Sequence, residues 1–232
     1  MNNYPIDTFS QSLDAHVTQI MKRVYIKMFL ALLVTAGIAA YCGSNATVIT
    51  FMVTHSWAYW ALALLELGMV LAISAGLNKI SSPVASLLFY TFAVVNGATL
   101  SIVFAVYDIT SIAKTFLITA AVFGAMSVYG YTTAKDLTRF GSFLTMALIG
   151  LIICIVINIF WANSQMDWII SGLGVLIFIG LTAWDTQKIK QMAATNPGAT
   201  DGRIATLGAL SLYLDFINLF LYLLRFFGAS RE

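Results

Sequence analysis

Three carboxylates lie inside apolar segments that are long enough to cross a membrane, and they are Glu66, Asp185 and Asp215. A carboxylate at the centre of such a helix costs about 2.5 to 3.5 kcal/mol on insertion scales, so each needs a proton, a partner or a water-filled cavity. The remaining Asp and Glu residues fall in polar joints or tails, where water solvates them. Intramembrane carboxylates usually bind protons or cations, so these three are the candidate site residues.

Asp215 shares one helical face with other polar groups, because at about 100° per residue they fall within a stripe of roughly 100°. This stripe contains Gly208, Ser211, Asp215, Asn218, Tyr222 and Arg225. Leu, Ile and Phe cover nearly all the rest, so the stripe must face protein or water, which predicts a helix in the middle of a bundle. A weaker stripe on the preceding segment predicts the face that it meets. That second stripe contains Ser171, Gly174, Thr182 and Asp185.

Asp185 and Asp215 meet only if their two helices lie at suitable depths. Counted from Ile204, Asp215 lies about 16 Å into the membrane at a rise of about 1.5 Å per residue, whereas Asp185 ends its segment at the membrane edge. We therefore predict that the last helix begins below the bilayer, with its apolar part starting near Leu210. We also predict that Lys188 and Lys190 snorkel to the membrane surface, which places Asp185 about one turn inside.

Two carboxylates in contact cannot both ionise cheaply, so Asp185 and Asp215 are expected to share a proton. The protonated pair would bond its two helices, and the ionised pair would repel or capture a cation. Calcium suits such a pair because it takes oxygen ligands, and Glu66 would add a third oxygen. Two plainer alternatives stay open, in which the aspartates only hydrogen-bond helices together and Arg225 pairs with a lipid phosphate.

The composition indicates a polytopic integral membrane protein. The chain is 60% hydrophobic and 9% charged, with a mean hydropathy of +0.88, whereas soluble domains carry about 25% charged residues. The net charge of +2 and the scattered basic residues indicate no nucleic-acid partner. Cys42 and Cys154 lie in apolar segments without CxxC spacing, which predicts buried free thiols.

Seven apolar segments of the required length follow a polar N-terminal tail at residues 1–22, which lacks the apolar stretch of a signal peptide. The segments are Val24–Gly43, Trp57–Leu77, Val84–Val106, Ile112–Ala134, Phe143–Trp161, Trp168–Asp185 and Ile204–Phe227. Residues 23–232 are therefore predicted to form one transmembrane domain. Pro83, behind Ser81 and Ser82, marks the start of the third helix.

The basic residues predict a cytoplasmic N-terminus, because most of them then lie on the inner side. The inner set is Lys22, Arg23, Lys27, Lys79, Lys135, Arg139, Lys188, Lys190 and Arg203, and the exceptions are Lys114, Arg225 and Arg231. Trp57, Trp60, Trp161 and Trp168 fall together at the opposite interface. A six-span alternative with a re-entrant last segment would bring the basic C-terminus inside.

Three stretches resemble signature sequences of the Bax inhibitor-1 family in its bacterial branch: LTAWDTQKIK (Leu181 to Lys190), SLYLDFINLFLYLLRFFG (Ser211 to Gly228) and FGAMSVYGYTTAKDL (Phe123 to Leu137). The resemblance implies an all-α bundle of six helices around a central seventh in the cell inner membrane. It also implies a pH-sensitive calcium leak gated by an aspartate pair. The family's aspartates map onto Asp185 and Asp215, and a second-helix glutamate maps onto Glu66.

Where some members place an Arg near the inner end of the second helix, this chain has Leu77, with Lys79 nearby, so an arginine-based latch is not carried over. Other members are described as cell-death suppressors or as partners of a membrane protease. This supports a second hypothesis, in which the chain regulates another membrane protein without conducting and the polar tail is the point of contact.

An enzyme is not expected. Intramembrane aspartyl proteases place their second aspartate in a GxGD turn followed by a Pro-Ala-Leu motif, but Asp215 lies in LYLD and no proline follows it. A retinal pigment needs a Schiff-base lysine, and no Lys follows Lys190.

Overall fold

A computed structural model describes residues 4–75, 80–161, 163–195 and 201–229, and these ranges contain helices without any β-strand. The helices are α1 (Tyr4–Ser44), α2 (Ala46–Thr54), α3 (Ser56–Ala75), α4 (Ser82–Leu100), α5 (Val103–Val106), α6 (Ile109–Thr132), α7 (Thr138–Trp161), α8 (Ser164–Thr195) and α9 (Asp201–Phe227). Leu77, Lys79 and Arg231, to which the sequence analysis assigned roles, lie outside the described residues.

Within the described ranges, seven stretches of helix are long and apolar enough to cross a membrane, which confirms the predicted number. They are Gln11–Ser44, Trp57–Ala75, Ser82–Val106, Ile109–Thr132, Thr138–Trp161, Ser164–Thr195 and Asp201–Phe227. The polar N-terminal tail is not separate from the first span, because one helix, α1, begins at Tyr4 and contains both.

The predicted end of the sixth segment at Asp185 is wrong, because α8 continues to Thr195. The stretch from Trp184 to Thr195 contains neither Gly nor Pro, so nothing in it breaks the helix. Asp185 therefore lies well inside a helix rather than at its end.

The helix starts follow their capping residues. Ser81 precedes α4, with Pro83 in the first turn as predicted. Asp108 caps α6 by accepting hydrogen bonds from the backbone N–H groups of Thr110 at 2.8 Å and Ser111 at 3.3 Å. Hydrogen bonds from Thr110, of which the side-chain bond has the largest effect, hold the pKa of Asp108 below its usual value. The ionised carboxylate therefore caps the helix at any pH above its usual pKa, and the cap is lost as the pH falls through the lowered pKa.

The chain divides into two compact units. The first contains Met1–Phe104 and Ile189–Ser211, and the second contains Ala105–Lys188 and Leu212–Glu232. In the first unit α1 and α4 approach closely, since a Cβ on Gly97 would lie 2.8 Å from the carbonyl oxygen of Thr35. The hydroxyl of Thr35 also donates to the carbonyl of Ala93 at 2.8 Å.

In the second unit α8 is approached closely by two neighbours. A Cβ on Gly130 of α6 would overlap the carbonyl of Ala183, and one on Gly141 of α7 would overlap the ring of Trp184. Small residues at these two points allow the backbones to approach, as in other membrane helix contacts.

The last span is the most buried, with 72% of its most apolar stretch inside the protein, compared with 11% for the second span. Such burial is expected for a helix in a bundle interior, while the arrangement of six helices around it stays a prediction. Cys42 and Cys154 are free thiols, as predicted, but they are half-buried rather than buried.

Candidate functional site

Asp215 lies on α9 with only 4% of its surface exposed. Its Oδ2 atom has no hydrogen-bond partner among the described residues. Leaving a buried carboxylate oxygen without a donor costs more than an ordinary lost hydrogen bond. Asp215 therefore has the environment of a group that takes up a proton, a cation or water.

Asp185 lies on α8, which packs against the part of α9 that carries Asp215. In the second unit the rings of Phe178 and Tyr222 stack at 5.8 Å. Asp185 lies seven residues after Phe178 and Asp215 seven residues before Tyr222. The helices run antiparallel, because Trp168 meets Phe226 at 5.1 Å nearer their other ends.

The contacts between α8 and α9 differ in the register that they indicate for the two aspartates. A Cβ on Gly174 would lie 2.7 Å from the ring of Tyr222, and counting from this contact the two levels differ by about 6 Å. The carboxylate of Asp185 interacts electrostatically with that of Asp215, and the ammonium of Lys188 interacts with both. Both aspartates that the sequence singled out thus lie in the second unit, and their role as a pair stays a prediction.

Asp185 is half-buried, and its helix is held in place by a clamp that the sequence analysis missed. The buried amide of Gln187 accepts a hydrogen bond from the backbone N–H of Leu137 at 2.8 Å and donates to the carbonyl of Lys135 at 2.8 Å. This fixes the α6–α7 connection to α8 two residues from Asp185. A glutamine inside a span is expected to face protein rather than lipid, and this expectation was the available signal for the contact.

A polar face of α6 was also missed. Thr115, Thr119 and Ser127 are all buried, and the hydroxyls of Thr115 and Ser127 have no partner among the described residues. Their spacing of four and eight residues along one helix face was visible in the sequence.

This part of α6 lies at the depth of Asp215. Phe116 and Phe123 both contact Phe216, the residue after Asp215, with centroids 5.3 Å and 5.4 Å apart. The unsatisfied hydroxyls of α6 therefore lie within about two turns of the level of the aspartate.

The predicted supporting residues have different environments. Thr182 is fully buried, and its hydroxyl donates to the carbonyl of Phe178 at 2.7 Å. Asn218 donates to the carbonyl of Leu214 at 2.8 Å, also within its own helix. Tyr222 is buried, and Ser211 is half-buried in the part of α9 that belongs to the first unit.

Arg225 lies apart from the aspartate pair. It is ten residues beyond Asp215 on α9, or roughly 15 Å along the helix. Its guanidinium carbon lies 5.7 Å from the ring centroid of Tyr222, and it lines two cavities together with Asp167.

Glu66 forms a polar cluster in the first unit. Its Oε2 accepts a hydrogen bond from Asn96 Nδ2 at 3.0 Å and its Oε1 accepts one from Thr99 Oγ1 at 2.6 Å. Asn96 thus bonds a neighbouring helix, and so does Asn158, which donates to Asp167 at 2.7 Å.

The cluster around Glu66 and the aspartate pair belong to different units. Within the described ranges, no group of three or more His, Cys, Asp or Glu side chains could hold a metal ion. A calcium site completed by Glu66 remains a prediction.

Lys27 is one of the basic residues that predict a cytoplasmic N-terminus, and it also forms a hydrogen-bonded cluster that the sequence did not indicate. In the first unit its ammonium donates to the hydroxyl of Ser86 and to that of Thr206, the latter at 3.0 Å. The two hydroxyl oxygens lie 3.1 Å apart. This cluster joins α1, α4 and α9 through a cation and two hydroxyls.

The fold and the paired aspartates define a multi-pass integral membrane protein with ionisable groups inside its helical bundle. A family model described as "Inhibitor of apoptosis-promoting Bax1" matches residues 17–232. The chain belongs to the Bax inhibitor-1 family.

Relatives match over nearly the whole length. The inner membrane protein YbhL of Escherichia coli K12 is 45% identical over 215 residues, which cover 91% of this chain and 92% of the relative. A protein of Borreliella burgdorferi is 45% identical over 214 residues, with the same two coverages. A membrane protein of Streptococcus pyogenes serotype M3 is 37% identical over 233 residues, covering 99% of this chain and all of the relative.

Proposed function

We propose that this protein is a pH-sensitive calcium leak of the cell inner membrane, gated by a proton shared between Asp185 and Asp215. The observation that carries the proposal is the buried, unpartnered carboxylate oxygen of Asp215, which faces the electrostatic field of Asp185. A structural hydrogen bond alone would leave no acceptor unsatisfied in so buried a place.

In the closed state one proton lies between the two carboxylates and bonds α8 to α9. Loss of that proton leaves two negative charges on neighbouring helices, which repel each other or take up a cation. Lys188 offsets part of this charge, because it interacts with both carboxylates. The gate is therefore expected to open as the pH rises.

The rest of the path is assigned to water and hydroxyls. Two carboxylates supply only some of the six to eight oxygens that calcium takes, so water completes its shell. The unpartnered hydroxyls of Thr115 and Ser127 on α6 are suited to hold such water. Transport by this route needs no covalent chemistry, in keeping with the expectation from the sequence that the protein is not an enzyme.

The test is calcium entry into proteoliposomes across a pH series. We expect wild-type flux to rise with pH, and Asp185→Asn and Asp215→Asn each to change the rate and flatten the pH profile. Asp14→Asn is the matched control, since it removes one exposed carboxylate from α1. Variants of the pair that keep both the rate and the pH profile of the wild type would disprove the gate.

A second candidate is a regulatory protein that binds another membrane protein without conducting. It is favoured by one observation, the exposure of Gln11, Asp14 and Gln19 on the polar first part of α1. Purified wild-type protein that passes no calcium at any pH would favour this candidate over the leak.

A further inference from the structure

Two adjoining cavities lie in the second unit, where α7 and α9 end and α8 begins. The larger, of about 420 Å³, is lined by Tyr107, Asp167, Trp168, Ser171, Arg225 and Phe226, among others. The smaller, of about 270 Å³, is lined by Ile155, Asn158, Ile159, Asp167, Ile170 and Arg225. Asp167 and Arg225 line both cavities, so one carboxylate and one guanidinium, which form no salt bridge with each other, border a polar space and a more apolar one.

We propose that these cavities bind one phospholipid with an ethanolamine headgroup. The phosphate lies against Arg225, the ammonium lies against Asp167, and the first part of an acyl chain lies along the isoleucines of the smaller cavity. This site is separate from the aspartate pair and does not depend on the proposed leak.

Arg225 has the properties of a phosphate ligand. It is exposed, and in the described part of the chain no carboxylate lies within salt-bridge distance of it. The ring of Tyr222 lies beside its guanidinium carbon at 5.7 Å, which restricts the side chain on one side. A planar guanidinium held in this way can donate two parallel hydrogen bonds to phosphate oxygens.

Asp167 supplies the complementary charge. Its Oδ1 accepts a hydrogen bond from Asn158 at 2.7 Å, which orients the carboxylate. The hydroxyl of Ser171 donates to the backbone carbonyl of Asp167 at 2.7 Å, so its oxygen is left to accept. These acceptors suit a primary ammonium, which has three N–H donors, better than a quaternary choline, which has none.

The charge balance selects a zwitterion over an anion. One guanidinium and one carboxylate sum to zero, so an anionic lipid would leave Asp167 without a counter-charge. A headgroup that carries both charges satisfies both side chains.

The position also suits a lipid. Trp168 is 68% exposed and Trp161 is 76% exposed at this end of the unit, as expected for an aromatic belt at headgroup level. Ile155, Ile159 and Ile170 line the smaller cavity and match an acyl chain rather than a free, fully polar solute.

The test measures lipid binding to the purified full-length protein by native mass spectrometry. Delipidated protein is titrated with phosphatidylethanolamine, phosphatidylcholine or phosphatidylglycerol, and soluble phosphoethanolamine is added as a competitor. We expect phosphatidylethanolamine to bind more tightly than either other lipid. Competition by phosphoethanolamine at the lipid's own concentration would overturn the lipid assignment in favour of a free headgroup compound.

The variants separate the two contacts. Arg225→Gln should weaken phosphatidylethanolamine binding about tenfold or more, and Arg225→Lys should weaken the same binding by a smaller factor. Asp167→Asn should abolish the preference for phosphatidylethanolamine over phosphatidylglycerol. Lys114→Gln is the control, an exposed cation near the start of α6 that lines neither cavity.

Folding of each variant is checked by its unfolding temperature in lipid-free detergent. An Arg225→Gln variant that is folded and binds phosphatidylethanolamine as tightly as the wild type does would disprove the site. So would a wild-type protein with equal affinity for phosphatidylethanolamine and phosphatidylglycerol.

Discussion

At the scale of single residues, the buried polar groups fall into satisfied and unsatisfied sets. Both oxygens of Glu66 accept hydrogen bonds from α4, whereas Asp215 keeps an oxygen without a donor. A satisfied carboxylate stabilises a helix contact, and an unsatisfied one is available for a ligand. This difference indicates a packing role for Glu66 between α3 and α4, while the roles predicted for Glu66 and the two aspartates in ion binding stay predictions.

The packing role of Glu66 predicts the effect of removing one donor. Thr99→Val should lower the stability by about 1 to 3 kcal/mol, because Oε1 of Glu66 would lose its partner. Thermal unfolding in detergent measures the change. Thr91→Val is the control, since this exposed hydroxyl donates only to the carbonyl of Leu87 in its own helix. Equal unfolding temperatures for the two variants would contradict the role.

At the scale of helices, α8 is the element that positions the site. Gly130 and Gly141 let α6 and α7 approach it at Ala183 and Trp184, next to Asp185. The amide of Gln187 then fixes the α6–α7 connection to the same turn. The position of Asp185 therefore depends on contacts from two other helices.

The close approach of α6 to α8 predicts a selective effect of one methyl group. Gly130→Ala should lower the stability by about 1 to 3 kcal/mol, because the new Cβ would overlap the carbonyl of Ala183. Gly124→Ala on the same helix is the control, because nothing lies within 4 Å of its Cβ position. Unfolding temperatures give the comparison, and equal losses at both positions would show that the contact is not close.

At the scale of the whole molecule, an odd number of spans places the two chain ends on opposite sides of the membrane. The seven spans and the distribution of basic residues predict the N-terminus inside and the C-terminus outside. The re-entrant alternative would instead place both ends inside.

Cysteine labelling distinguishes these topologies. In a Cys42→Ser and Cys154→Ser background, we expect an impermeant maleimide to label Lys114→Cys and Ala229→Cys in intact cells. Asp14→Cys should react only after the membrane is permeabilised. These positions are exposed. Protection of Ala229→Cys in intact cells would support the re-entrant alternative, and labelling of Asp14→Cys would reverse the orientation.

The sequence by itself determined that the protein spans a membrane and how many candidate spans the described ranges contain, and it singled out the aspartate pair as a prediction. Hydrocarbon imposes a length of about 20 apolar residues on each span, and it makes each buried charge conspicuous because of its cost. Glu66, Asp185 and Asp215 could therefore be found without coordinates. The spacing of Asp215, Asn218 and Tyr222 also predicted a helix that is buried rather than exposed to lipid.

Only the tertiary structure decided which polar groups meet. Hydroxyls, amides and lysines are common in membrane helices, so the sequence did not show which groups Lys27, Ser127 and Gln187 would contact. Their roles depend on neighbours that are distant in sequence, such as Thr206 for Lys27. The register of α8 against α9 likewise depended on ring contacts between the two helices. The length of α8 beyond Asp185 also came only from the structure, because hydropathy does not define where a helix ends outside the bilayer.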